Sequence, residues 1–164
     1  MTTPIPHAAL LEAFEEVRRQ FVYRPDGWFD RWRVMRPQGS PPQLVGDCED
    51  FSLTVLAKVY GGTWPMIRAL IFSGKATLWH VETPDGGHAV GELETDLGRF
   101  RFDNVSPVVR SAEGFVSSRP HYVWRYRTSP LRLLVKMFPL GIFAAGVIFA
   151  AALAAAISFG GLPT

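Results

Sequence analysis

Charge stops at Lys136. All 17 lysines and arginines and all 15 aspartates and glutamates lie at or before that residue, and the run 138–162, FPLGIFAAGVIFAAALAAAISFGGL, has no ionisable side chain. About 20 apolar residues suffice to cross the hydrocarbon core of a bilayer. A domain this small could hardly cover such a run on all sides. The pattern predicts a transmembrane helix over 138–162, a basic juxtamembrane linker over 129–137 and a water-adapted domain over 1–128. Arg125, Arg127, Arg132 and Lys136 precede the run and no basic residue comes after it. The positive-inside rule then leaves the domain in the cytoplasm. The N-terminal MTTPIPHAALLEAFEEVRRQ has no basic segment leading into an apolar one, so no secretory signal is expected. Gly141 with Ala145 and Gly146 with Ala150 place small residues at four-residue spacing, which allows self-association through the helix.

The remaining composition excludes several classes. A formal net charge of +2 is too small for an extended nucleic-acid footprint. A single cysteine, Cys48, excludes an internal disulfide and a zinc site built on several thiolates. Leu10, Ala13, Phe14, Val17 and Phe21 recur at helical spacing and predict an amphipathic helix over 6–21. The Pro-, Gly- and Trp-rich stretch YRPDGWFDRWRVMRPQGSPPQ reads as a long ordered loop with one short helix near 28–33, anchored by Trp28, Phe29 and Trp32. A second helix is predicted over 47–60, stopped by Gly61-Gly62. MIRALIF, ATLWHVE, GHAVGELE, GRFRFDNV and HYVWRYR then read as strands. Helices followed by an antiparallel meander define an α+β domain.

Cys48 has an uncommon setting. It falls in the first turn of the second predicted helix, where unpaired N–H groups and the helix dipole favour a thiolate. Gly46 gives the chain a tight approach, and Asp47, Glu49 and Asp50 make the surroundings too polar for an ordinary buried cysteine. Those carboxylates also raise a thiol pKa, so a cationic partner is needed, and histidine is the usual one.

Among the four histidines, His7 lies near the N-terminus in a segment expected to fray, and His121 falls in a late strand. His80 has no well-placed carboxylate and reads as structural or surface. His88 differs. If its strand forms a hairpin with the next one and Asp96-Leu97 at the tip, Glu94 faces Arg99, Glu92 faces Arg101 and Val90 faces Asp103. His88 and Asp103 then share a face as diagonal neighbours about 7–8 Å apart at the backbone, within reach of a hydrogen bond. Ala89, Gly91, Leu93, Phe100 and Phe102 fall on the opposite, core-facing side.

GDCEDF opening a helix, Gly-His at the start of a strand and Phe-Asp-Asn ending the next resemble the bacterial transglutaminase-like cysteine peptidases, over roughly residues 10–110. YRPDGWFDRWRVM is similar to that family's aromatic lead-in. The resemblance implies a papain-like fold, a cysteine-bearing helix on an antiparallel sheet, with a Cys48, His88, Asp103 triad. Cys48 would attack a carbonyl, His88 would move the proton and Asp103 would orient the imidazole. The Cys48 N–H would serve an oxyanion hole, with Gln43 as a candidate second donor. The implied partner is a protein or peptide substrate. No cofactor is required, but some members bind calcium through the cysteine motif, which makes Asp47, Glu49 and Asp50 calcium candidates; helix capping is their other role. Three activities stay open: amide hydrolysis, acyl transfer to an amine through the same thioester, and a catalytically inactive binding or virion module. A phage-encoded chain of this kind would be virion-associated.

Overall fold

The computed structural model describes residues 4–27 and 30–138. The expected membrane span, all but Phe138, therefore lies outside the described residues, as do Trp28 and Phe29. Among the described residues no helix is long and apolar enough to cross a membrane.

Helix α1 (His7–Gln20) buries Leu10, Ala13, Phe14 and Val17, the stripe expected from their spacing. His7 is not frayed. Its amide donates to Asp96 Oδ1 at 2.7 Å, and its ring lies 3.9 Å from that of Phe100. Asp96, from a turn far along the chain, thus caps α1. The short strands β1 (Phe21–Tyr23) and β2 (Leu44–Gly46) pair in parallel and deliver the chain to helix α2 (Cys48–Val59). Gly61, at φ +72°, lets the chain leave α2 in the left-handed region that glycine tolerates.

The lead-in between β1 and β2 contains no helix among its described residues. Its amides bond elsewhere. Arg31 N–H goes to Asp26 Oδ2, Trp32 N–H to the Lys136 carbonyl, Arg33 N–H to Asp50 Oδ1 and Met35 N–H to Thr54 Oγ1. Two of these acceptors are α2 side chains, so the segment is zipped along α2 instead of coiling on itself. Trp32 is fully buried, as an anchor should be.

MIRALIF is not a strand. Helix α3 (Thr63–Arg68) runs into a π-helical turn over Ala69–Ser73. A short apolar run fits a buried helix as well as a strand, and Gly62 with Pro65 in the first turn favours the helical start.

Strands β3 (Ala76–Thr83), β4 (Gly86–Thr95), β5 (Gly98–Phe102) and β6 (Arg110–Ser111) come next, then helix α4 (Ala112–Ser118) and strand β7 (Val123–Arg127). They form one antiparallel sheet in the order β6-β5-β4-β3-β7. Glu94 opposes Arg99 and Glu92 opposes Arg101, the register expected from the sequence. One sheet face packs Ala76, Leu78, Ala89, Leu93 and Phe102 against α1 and α2. The other holds a smaller cluster of Val81, Val90, Phe115 and Tyr122 beneath α4. The segment expected as a linker forms helix α5 (Pro130–Met137), capped by Ser129, and buries Leu133 and Met137 in the main core.

Candidate active site

Asp47 caps α2, its Oδ1 accepting the Asp50 N–H at 3.0 Å, which places Cys48 in the first turn. Gly46 has no room for a side chain: a Cβ there would stand 2.6 Å from Asp50 Oδ2 and 2.8 Å from Met35 Sδ. Asp50 is completely buried, with Arg33 Nε 3.0 Å from its Oδ2 as well as the Arg33 amide on Oδ1. The cysteine loop, the lead-in and the helix start are therefore locked together at one point.

His88 and Asp103 meet as their diagonal placement requires. His88 Nε2 lies 3.0 Å from Asp103 Oδ2. Asp103, fully buried just beyond β5, also accepts the Ser106 N–H at 2.6 Å and the Tyr122 hydroxyl at 3.1 Å. Burial alone would raise its pKa; the hydrogen bond and charge of His88, together with Ser106, outweigh that and hold it below the ordinary carboxylate value. In that hydrogen bond Nε2–H donates to the ionised Asp103, which leaves Nδ1 as the ring nitrogen free for another partner.

Cys48 is buried at the sheet, where the Ala89 N–H, one residue past His88, favours its thiolate. Its hydrogen bond does not go to His88. Sγ donates to Glu49 Oε2 at 2.9 Å. Burial first, then the Glu49 carboxylate, push the thiol well above its ordinary pKa, so the resting group is a protonated thiol.

His80 is a structural histidine. Its ring is stacked between Trp32 and Tyr126, with centroids 5.3 Å and 4.8 Å away, and Nε2 is 2.8 Å from Thr128 Oγ1. Burial, then Arg132, lowers its pKa to about 4. His80 Nδ1 is 3.9 Å from Glu49 Oε1, so Glu49 bridges the neutral imidazole and the thiol. Gln43 is exposed and pairs with Gln38 through the backbone; its side chain makes no hydrogen bond among the described residues.

His88 lines two hollows. One, of about 340 Å³, is shared with Glu49, His80, Arg125 and Tyr126. The other, of about 430 Å³, is shared with Tyr23, Asn104, His121 and Tyr122. Ser106 and Tyr122 could not be found from the sequence, since neither carries a local signal and both reach Asp103 only through the fold.

The expected calcium set is redistributed. Asp47 stands with Asp26 and Asp30, their oxygens within 4.8 Å of one another. Glu49 is turned to Cys48 and Asp50 is paired with Arg33, so neither belongs to the cluster. Burial first, then the neighbouring carboxylates including Glu49, Asp26 and Asp30, raise Asp47 to about 6. Hard oxygen donors whose charges penalise one another suit a divalent cation.

No protein-family model and no curated protein matches the chain. Three solved structures of Legionella pneumophila LapG are similar to it. The calcium-bound form has 16% identity and a TM-score of 0.44, covering 74% of this chain and 64% of LapG. The EGTA-treated form has 18% identity and a TM-score of 0.48, covering 74% and 62%. A third has 16% identity and a TM-score of 0.46, covering 74% and 64%. The chain thus spans less than two thirds of the LapG chains.

Proposed function

We propose that the chain is a thiol hydrolase of amide bonds, tethered to a membrane by residues 138–162, with Cys48 as nucleophile, His88 as base and Asp103 as orienter. The observation that carries this reading is the His88–Asp103 hydrogen bond, 3.0 Å long on a buried carboxylate, beside the only cysteine at a helix start. In the first step Cys48 leaves Glu49, gives its proton to His88 Nδ1, and Sγ bonds to the substrate carbonyl carbon. His88 returns that proton to the departing amine as the C–N bond breaks, leaving a thioester. Water, deprotonated by His88, cleaves the thioester and restores the thiol. The Cys48 N–H, in a turn whose donors the helix leaves unpaired, faces the developing oxyanion. An amine in place of water would give acyl transfer by the same steps.

Asp26, Asp30 and Asp47 would hold a calcium ion. Bound there, the ion offsets carboxylate charge near Cys48 and so favours the thiolate.

The test is iodoacetamide alkylation of Cys48 across pH on the full chain in lipid, since α5 is part of the core and a shorter chain would lose Leu133 and Met137. A reactive thiolate that vanishes in His88→Ala, with peptide cleavage lost in parallel, supports the hydrolase. An unreactive thiol, unchanged by His88→Ala with or without calcium, leaves a binding module. Product analysis with an added amine separates hydrolysis from transfer.

A further inference from the structure

A broad apolar hollow of about 620 Å³ lies away from the cleft, lined by Ile5, Tyr60, Trp64, Arg68 and Phe72. Its outer rim is highly exposed: Trp64 by 66% and Phe72 by 81%. Trp64, Arg68 and Phe72 succeed one another at four-residue intervals along α3 and the π-helical turn, an aromatic–basic–aromatic face. Phe138, the last described residue, stacks on Trp64 with centroids 5.5 Å apart and planes 8° from parallel. Phe138 therefore stands at this rim, and the sequence continues from it into the uncharged run that extends to Leu162. On α5, Leu131 and Val135 are also exposed, 70% and 41%, one turn apart and leading toward Phe138.

We propose that this face rests in the headgroup layer of a bilayer. Trp64 and Phe72 sit at the depth where aromatic rings concentrate at membrane interfaces, and Arg68 between them reaches lipid phosphate. The proposal rests on the membrane reading of 138–162. The hollow has the dimensions of a small-ligand pocket, and at its rim stands Phe138, the residue that leads into that run. Cys48 and Tyr60 mark opposite ends of α2, about 18 Å long at 1.5 Å per residue. Seating Tyr60 and its neighbours on the membrane holds the cleft away from the lipid, open to substrate.

The experiment uses the full chain with Cys48→Ser, in nanodiscs of phosphatidylethanolamine and phosphatidylglycerol. Single spin labels are placed by Phe72→Cys, Asp85→Cys or Ala150→Cys, and collisions with oxygen and with a water-soluble nickel chelate are measured. The expected result is oxygen-rich, nickel-poor relaxation at 72 and 150, with an oxygen-to-nickel ratio severalfold above that at 85. A label at 150 in lipid and at 72 in water would overturn the proposal and leave the tether standing. A label at 150 in water removes both. A label at 72 shielded from both reagents, in nanodiscs and detergent alike, shows that protein fills the hollow and also overturns the proposal.

Discussion

Cys48 Sγ donates its hydrogen bond to Glu49 Oε2, and the imidazole of His88 bonds to Asp103, not to the thiol. The proposed nucleophile and its proposed base thus have separate hydrogen-bond partners. Glu49→Gln removes the charge that, after burial, does most to keep the proton on sulfur. The expected outcome is an apparent thiol pKa lower by at least about one unit, hence about tenfold faster alkylation near pH 7.5. An unchanged rate profile would assign the protonated thiol to burial alone.

By the proposed mechanism, removing either member of the His88–Asp103 pair should cut turnover sharply. His88→Ala and Asp103→Asn are each expected to lower kcat by about 10²–10⁴-fold with little effect on KM. Tyr122→Phe keeps the ring against His88, at 5.6 Å between centroids, but drops the hydroxyl on Asp103. Its expected cost is at least about tenfold, as for one hydrogen bond of about 1.5 kcal/mol to a charged acceptor. Steady-state kinetics on one peptide substrate checks all three.

Calcium should stabilise the fold. At a concentration 100 times Kd the gain is about 2.7 kcal/mol, visible as a rise in Tm that EGTA reverses. Asp47, raised to about 6, is protonated below that pH and the ion must displace the proton. Affinity is therefore expected to fall about tenfold per pH unit below 6 and to level off above it. Asp47→Asn or Asp30→Asn should remove the response, whereas Asp85→Asn should not.

His80 sets an acid limit. Its folded pKa of about 4 lies below its ordinary value of 6.5, so the unfolded chain binds the extra proton between those pH values. Stability from the neutral ring is present above pH 6.5 and is lost as pH falls toward 4, by an amount on the order of 3 kcal/mol. His80→Phe, which retains a ring between Trp32 and Tyr126, should flatten that slope in urea unfolding at pH 7 and 4.5.

Gly46→Ala should be costly out of proportion to one methyl. The added carbon meets Asp50 and Met35 inside 3 Å, where Asp50 is held by Arg33. A loss of about 1–3 kcal/mol in denaturant unfolding is expected, as for overpacking. Leu97→Ala, at an exposed turn tip, is the neutral comparison.

The hairpin carrying His88 and Asp103 was legible because alternation and a polar turn specify register. Once Glu92 opposes Arg101, His88 and Asp103 can only be diagonal neighbours. The α2 start was legible for a similar local reason, since Gly, a capping Asp and a following apolar stripe coincide. The features that escaped depend on contacts between distant segments. Nothing near Tyr122 or Ser106 signals Asp103, and nothing near Glu49 shows that it would take the thiol before His88 does. MIRALIF lacks the periodicity that separates a buried helical turn from a strand. The acidic residues around Cys48 were visible as a group, but their division was not: Asp50 turns to Arg33, Glu49 to sulfur, and only Asp47 to Asp26 and Asp30.

Lys136 joins two parts of the molecule that lie far apart in the chain. Its ammonium is 2.7 Å from Asp30 Oδ2 and also reaches the Asp30 carbonyl, while its own carbonyl receives the Trp32 N–H. A cation seated on Asp30 competes with that ammonium for the same carboxylate. By thermodynamic reciprocity, whatever shifts the last turn of α5 changes cation affinity, and cation occupancy in turn works on α5 by an equal free energy. The two residues thus form a lever between the carboxylate cluster and the C-terminal end of α5.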